Sequence, residues 1–90
     1  MPSVRIVVTG RVQGVGYRAF AASEARPRGI AGEVRNLADG SVEVLAHGRR
    51  QALDEYIEVL RTGPRMARVA DTVVEWFERA DVPGDFRITG

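Results

Sequence analysis

The sequence Gly10-Arg11-Val12-Gln13-Gly14-Val15-Gly16-Tyr17-Arg18 joins a β-branched stretch to an alanine-rich one. Residues 4–9 predict a strand, and residues 17–26 predict a helix that ends at Pro27. Glycines between a strand and a helix favour anion binding, because they let the backbone turn its N–H groups inward and the first helical turn leaves N–H groups unpaired. Arg18 adds a planar set of donors that matches phosphate oxygens. We therefore interpret this stretch as a phosphate-binding loop.

The loop is not one of the common nucleotide loops. Its glycines, Gly10, Gly14 and Gly16, match neither the P-loop spacing nor the dinucleotide spacing, and all 13 basic residues are arginine, so the P-loop lysine is absent. From spacing alone, an equally simple interpretation is a tight turn whose glycines adopt positive φ.

A second segment, residues 32–44, predicts a strand, a turn and another strand. Asp39-Gly40 is a strong hairpin signal, because glycine adopts the left-handed conformation that such turns need. Asn36 ends the first of the two strands, and its carboxamide both donates and accepts hydrogen bonds. An alternative for Asn36 is turn chemistry, in which the side chain bonds the local backbone.

The predicted element order is βαββαβ with a short extra C-terminal strand. Residues 31–37 and 41–46 form the hairpin, 67–77 the fourth strand and 86–88 the last. Between the hairpin and the fourth strand, residues 51–61 carry one apolar stripe and predict a helix that ends at Gly63-Pro64. This order indicates an α+β, ferredoxin-like sandwich, an antiparallel sheet with two helices on one face.

The two segments together resemble the acylphosphatase family. Gly-Arg-Val-Gln-Gly-Val-Gly-Tyr-Arg at 10–18 and Val-Arg-Asn-Leu-Ala-Asp-Gly-Ser-Val-Glu-Val at 34–44 are similar to its two signature segments, in order and at its spacing. The resemblance extends over essentially the whole chain, which we therefore interpret as one domain, residues 1–90.

The resemblance implies hydrolysis of acyl phosphates, mixed anhydrides of a carboxylic acid and phosphoric acid. In that case Arg18 and the main-chain N–H groups of Gln13, Gly14, Val15, Gly16 and Tyr17 hold the phosphoryl group. Asn36 orients the attacking water. The resemblance implies no covalent intermediate, no metal and no cofactor, and the expected partner is a small-molecule acyl phosphate.

Two alternatives from another class stay open. A domain of this fold also serves as a non-catalytic module that binds phosphate or an acyl phosphate, or as a regulatory ligand-binding domain. Similar domains also occur within larger maturation enzymes that handle carbamoyl phosphate, although this sequence has no cysteine motif for zinc.

The composition limits the classes of partner and the cellular compartment that we expect. The formal net charge of +1 gives no basic surface for nucleic acid, and no run of residues reaches the length of a membrane span. There is no cysteine, so disulfides and thiolate chemistry are excluded. We expect a cytoplasmic monomer that binds neither nucleic acid nor membrane.

Some polar and aromatic residues have simpler interpretations. Tyr17 is expected to pack beneath the loop, His47 to lie at the surface, and Glu43 to lie on a solvated strand face. Trp76 and Phe77 adjoin on a strand and therefore point to opposite faces, so we expect one in the core and the other partly exposed.

Overall fold

The computed structural model describes all 90 residues. It contains five strands, two helices and a short 3-10 helix. In chain order these are β1 (Pro2–Arg11), α1 (Tyr17–Ala25), the 3-10 helix (Arg26–Arg28), β2 (Ala31–Asn36), β3 (Val42–His47), α2 (Arg50–Thr62), β4 (Arg68–Glu78) and β5 (Phe86–Ile88).

The five strands form one sheet in the order β4-β1-β3-β2-β5. All neighbours run antiparallel except β2 and β5, which are parallel. The predicted ferredoxin-like α+β sandwich with an extra C-terminal strand is therefore confirmed. Strand β1 is longer than the predicted residues 4–9, and β4 has the predicted length but begins and ends one residue later. Pro27 lies within the 3-10 helix rather than directly after α1.

The core lies between the sheet and the two helices. Strand β1 contributes alternate residues, Val4, Ile6 and Val8, all fully buried, because successive side chains of a strand point to opposite faces. Helix α2 contributes the predicted apolar stripe, Leu53, Tyr56, Ile57 and Leu60. It ends at Gly63, as predicted, where the Gly63 N–H donates to the Val59 carbonyl oxygen at 3.0 Å. Neither helix combines the length and the apolar character that crossing a membrane requires.

The sheet face away from the helices, here called the open face, corrects the expectation for Glu43. This residue is only 6% exposed, because the Arg5 and Arg35 side chains from the neighbouring strands lie across it. Its carboxylate accepts from Arg5 Nε at 2.7 Å and from Arg35 Nε at 2.8 Å. Burial alone raises the pKa of Glu43, but the two guanidinium groups outweigh burial and the net pKa is lowered.

The expectation that His47 lies at the surface is also wrong. His47 is 1% exposed on the open face, where its Nδ1 lies 2.7 Å from the hydroxyl of the buried Ser3. The Phe77 ring meets the imidazole edge-on with ring centroids 6.2 Å apart. Burial, and after it the charge of Arg79, lowers the pKa of His47. The central position of β3 in the sheet allows neighbouring strands to cover both residues.

The edge position of β4 explains the two adjacent aromatic residues. Trp76 and Phe77 lie on opposite faces as predicted, but they are 37% and 38% exposed, so neither belongs to the core. Trp76 stacks under the Arg50 guanidinium, whose carbon is 3.7 Å from the ring centroid, and Phe77 packs on His47. An edge strand has a neighbour on one side only, which leaves both rings half covered.

Candidate active site

The loop between β1 and α1 has the backbone form that the sequence predicts. Gly14 and Gly16 have φ of 75° and 78°, in the left-handed region that favours glycine, and Gly16 is the N-cap of α1. No side chain caps this helix end. Residues 13–16 lie outside the helices and strands, and none of their main-chain N–H groups donates a hydrogen bond to another main-chain group. The loop therefore keeps its main-chain donors free next to a helix N-terminus.

Arg18 and Asn36, the two predicted catalytic residues, meet at one oxygen atom. The Gly90 main-chain oxygen accepts a hydrogen bond from Arg18 Nη1 and another, at 3.0 Å, from the Asn36 main-chain N–H. Gly90 reaches this position because β5 pairs with β2 and Thr89 N–H donates to the Val34 carbonyl oxygen at 2.9 Å. Residues that are 18 positions apart in sequence are thus held side by side.

A pocket of about 220 Å³ lies between the loop, α1 and the end of β2. Five of the predicted site residues line it, together with three apolar residues. Its lining consists of Val12, Gly14, Gly16, Tyr17, Arg18, Ala19, Asn36 and Ile88. Gln13 and Val15, the other two predicted loop residues, do not line it. The structure thus brings the glycine loop, the arginine and the asparagine to one concavity.

Asn36 does not take part in the side-chain hydrogen bonds of the turn between β2 and β3 (residues 37–41). Asp39 has that role, since its Oδ1 accepts from Ser41 N–H at 2.9 Å and from Ser41 Oγ at 2.5 Å. The Asn36 carboxamide makes no hydrogen bond within the protein and lines the pocket. The alternative in which the Asn36 side chain bonds the local backbone of the turn is therefore not what the structure has.

Tyr17 packs beneath the loop, as predicted. It is 1% exposed, and its hydroxyl donates to the Leu60 carbonyl oxygen of α2 at 2.6 Å. Burial raises the pKa of Tyr17 far above its usual value. The phenol therefore keeps its proton and anchors the start of α1 to α2. Tyr17 is the first residue of α1, and the first turn of this helix borders the pocket.

Sequence reasoning missed three contributors to the site. Ile88 borders the pocket, and the Gly90 oxygen joins Arg18 to Asn36. The Gln13 side chain crosses to the turn, where Nε2 donates to the carbonyl oxygens of Leu37 and Ser41, each at 2.9 Å. No local pattern marks these contacts, because each joins residues that are distant in sequence.

A small α+β sandwich with a glycine loop, an arginine at a helix start and an asparagine at a strand end defines a phosphate-handling domain. Residues 4–88 match the family described as Acylphosphatase. A Thermus thermophilus protein named Acylphosphatase is 49% identical over 84 residues, which are 93% of this chain and 96% of that protein. The crystal structure of acylphosphatase from Bacillus subtilis superimposes with a TM-score of 0.96 at 40% identity, covering 100% of both chains.

A larger protein contains a similar domain. The crystal structure of T. kodakarensis HypF matches with a TM-score of 0.87 at 29% identity, covering 99% of this chain but 12% of that one. The family match and the near full-length likeness to the Thermus thermophilus protein decide the classification. This chain belongs to the acylphosphatase family.

Proposed function

We propose that the protein hydrolyses acyl phosphates to a carboxylate and inorganic phosphate, the activity that its family carries. In this proposal Arg18 and the main-chain N–H groups of residues 13–17 hold the phosphoryl oxygens, and Asn36 orients the attacking water. The single observation that carries the proposal is the pocket in which the glycine loop, Arg18 and Asn36 come together.

The loop and Arg18 supply what a phosphoryl group needs. The N–H groups of residues 13–16 donate to no main-chain oxygen. The N-terminus of α1 adds partial positive charge beside them. Arg18 uses Nη1 on the Gly90 oxygen, and this contact holds the guanidinium beside the pocket. Its remaining donors are available to the phosphoryl oxygens, which carry charge in the ground state and the transition state alike.

The Asn36 carboxamide is suited to the water. It is a neutral group that accepts from a water through its oxygen and donates through its nitrogen, so it fixes a water without removing its proton. The main-chain hydrogen bond from Asn36 to Gly90 places this residue next to Arg18. Water held there is positioned for attack on a phosphoryl group in the loop, and positioning is the main requirement of phosphoryl transfer.

The chemistry balances without another catalytic group. The water oxygen forms a bond to phosphorus, the bond from phosphorus to the acyl oxygen breaks, and the carboxylate leaves with the electron pair. A phosphate oxygen takes the proton of the water. Since a carboxylate is a good leaving group, no side chain has to protonate it.

We also propose that the protein acts as a cytoplasmic monomer on a small molecule, without a nucleic acid or membrane partner. The net charge of +1 offers no strong attraction for a polyanion. Sedimentation of the purified protein is the direct test of the monomer.

Hydrolysis of benzoyl phosphate tests the proposed activity. We expect the unmodified protein to release benzoate and inorganic phosphate far faster than buffer, in the presence of a metal chelator as well as in its absence. A folded protein that binds inorganic phosphate without turning over benzoyl phosphate would contradict the proposal. That outcome would favour the alternative, a non-catalytic phosphate-binding or regulatory domain.

A further inference from the structure

The Gln13 side chain connects the loop to the turn between β2 and β3. Gln13 Nε2 donates to the main-chain oxygens of Leu37 and Ser41, each at 2.9 Å. Both partners are acceptors, so only the nitrogen end of the amide fits here, and both of its hydrogens are used. The two contacts span 24 and 28 positions of sequence.

The turn is closed by its own backbone before Gln13 reaches it. Leu37 N–H donates to the Ser41 oxygen at 2.8 Å, and Gly40 N–H donates to the Leu37 oxygen at 3.2 Å. Each of the two carbonyl oxygens therefore accepts one main-chain hydrogen bond and one from Gln13. Since the turn does not depend on Gln13 for closure, the side chain mainly fixes the loop relative to the turn.

The two ends of this connection adjoin the two halves of the pocket. Gln13 directly precedes Gly14, which borders the pocket, and Leu37 directly follows Asn36. A shift of the loop against the turn therefore changes the distance between the phosphoryl site and the water site. Displacements of about 1 Å in a reacting geometry cost up to about a hundredfold in rate.

We infer that Gln13 is a positioning residue, whose side chain sets the Asn36 carboxamide against the phosphate loop. This inference rests on the proposed function and deepens it, because the proposed function uses only the main chain of residue 13. The side chain itself touches neither the pocket nor the substrate.

The variant Gln13→Glu tests the inference with almost no change of shape. An ionised carboxylate has no hydrogen to donate and repels the oxygens of Leu37 and Ser41. On benzoyl phosphate at pH 8 we expect kcat to fall between about tenfold and a hundredfold. The new carboxylate adds negative charge to the loop, so we expect the dissociation constant of inorganic phosphate, measured by calorimetry, to rise, but by a clearly smaller factor than kcat falls.

A pH profile distinguishes positioning from general damage. Protonation of the new carboxyl restores one O–H donor and therefore one of the two lost hydrogen bonds. We expect the ratio of variant to unmodified kcat to rise as the pH falls from 8 to 5. Asp39 in the same turn does not confuse this profile, because its hydrogen bonds with Ser41 lower its pKa and it stays ionised throughout.

Ser41→Ala is the matched control. It removes the hydrogen bond from Ser41 Oγ to Asp39 but leaves the Ser41 main-chain oxygen for Gln13. The control weakens the same turn without releasing the loop, so we expect kcat within about twofold of the unmodified protein. Far-ultraviolet circular dichroism establishes that all three proteins are folded at each pH.

The outcomes separate the inference from the proposed function. A Gln13→Glu protein with unchanged kcat, an equal loss in Ser41→Ala, or a matching loss of phosphate affinity would overturn the positioning role while leaving acyl phosphate hydrolysis intact. An unmodified protein without turnover would overturn the proposed function, and the role of Gln13 with it. A flat ratio across the pH range would also overturn the positioning role.

Discussion

The pocket and the open face of the sheet both carry polar groups. Those on the open face are hydrogen-bonded within the protein, whereas those of the pocket include groups without a partner in the protein. On the open face, the Glu43 carboxylate accepts from two arginines, and His47 Nδ1 lies 2.7 Å from the Ser3 hydroxyl. In the pocket, the Asn36 carboxamide has no hydrogen bond within the protein, and the loop N–H groups are free. Paired polar groups contribute to stability, whereas unpaired ones beside a concavity are available to a ligand.

The contrast also explains why the unpaired groups are tolerated. Asn36 and the loop are partly exposed, so water satisfies them when no ligand is bound. Glu43 and His47 are almost completely buried, where an unpaired polar group costs about 1–3 kcal/mol. We therefore expect substitutions in the pocket to change activity, and substitutions on the open face to change stability.

Arg18→Ala is expected to have the largest effect. In the proposed function, the Arg18 guanidinium meets both the bound substrate and the transition state, so we expect its removal to lower kcat/KM on benzoyl phosphate by about a thousandfold or more. Arg18→Lys keeps the charge without the planar donors and is expected to recover only part of the loss. Arg49→Ala, at the exposed start of α2, is the control and should match the unmodified protein.

Asn36→Ala is expected to lower kcat by about a hundred- to a thousandfold with a much smaller change in KM. In the proposed function, the carboxamide acts on the water, while the loop and Arg18 hold the substrate. Steady-state kinetics on benzoyl phosphate separates the two constants. A variant with an increased KM and an unchanged kcat would show that Asn36 binds substrate instead.

Glu43→Gln should reduce stability and leave kcat unchanged. The amide loses the charge that pairs with Arg5 and Arg35, and since both arginines are partly exposed we expect a loss of about 1–2 kcal/mol in the free energy of unfolding at pH 7. The folded-state pKa of Glu43 is lowered, so this stability is present above about pH 4.5 and is lost as the pH falls through the folded pKa. Urea unfolding at pH 7 and at pH 3 measures both values, and an equal deficit at both would argue against the ion pairs.

His47→Gln is expected to give the smallest effect, a change in how the free energy of unfolding depends on pH. The folded-state pKa of His47 lies below its ordinary value of 6.5, so the unfolded chain binds a proton more readily. The unmodified protein should therefore lose stability as the pH falls below about 6.5, by at most about 1.4 kcal/mol per pH unit. In the variant that loss should be absent between pH 7.5 and 5.5. Parallel slopes in the two proteins would exclude a buried neutral imidazole.

Local patterns in the sequence were sufficient for most of the fold. The loop at 10–18, the Asp39-Gly40 turn and the apolar stripe of α2 each act within a few residues, and the structure has all three where they were predicted. The expectation that Glu43 is solvated followed from its residue type alone and was wrong. Residue type could not show that Arg5 and Arg35 from other strands cover that carboxylate, because strand neighbours and register are long-range properties.

The same limit applies to the candidate site. Arg18 and Asn36 were recognisable because each lies in a short segment similar to a known family. The contacts that connect them, from the Gly90 oxygen and from the Gln13 side chain, join residues that are 24 to 72 positions apart. Such contacts follow from the pairing of β5 with β2 and from the packing of the loop on the turn, neither of which a local pattern specifies.

The most direct test of the account is the position of the bond that water forms. Benzoyl phosphate is hydrolysed in water enriched in ¹⁸O, and mass spectrometry of the two products locates the label. If the loop and Arg18 hold the phosphoryl group and Asn36 aims water at phosphorus, the label enters inorganic phosphate and the benzoate stays unlabelled. Label in the benzoate would place the attack at the carbonyl carbon and contradict the account.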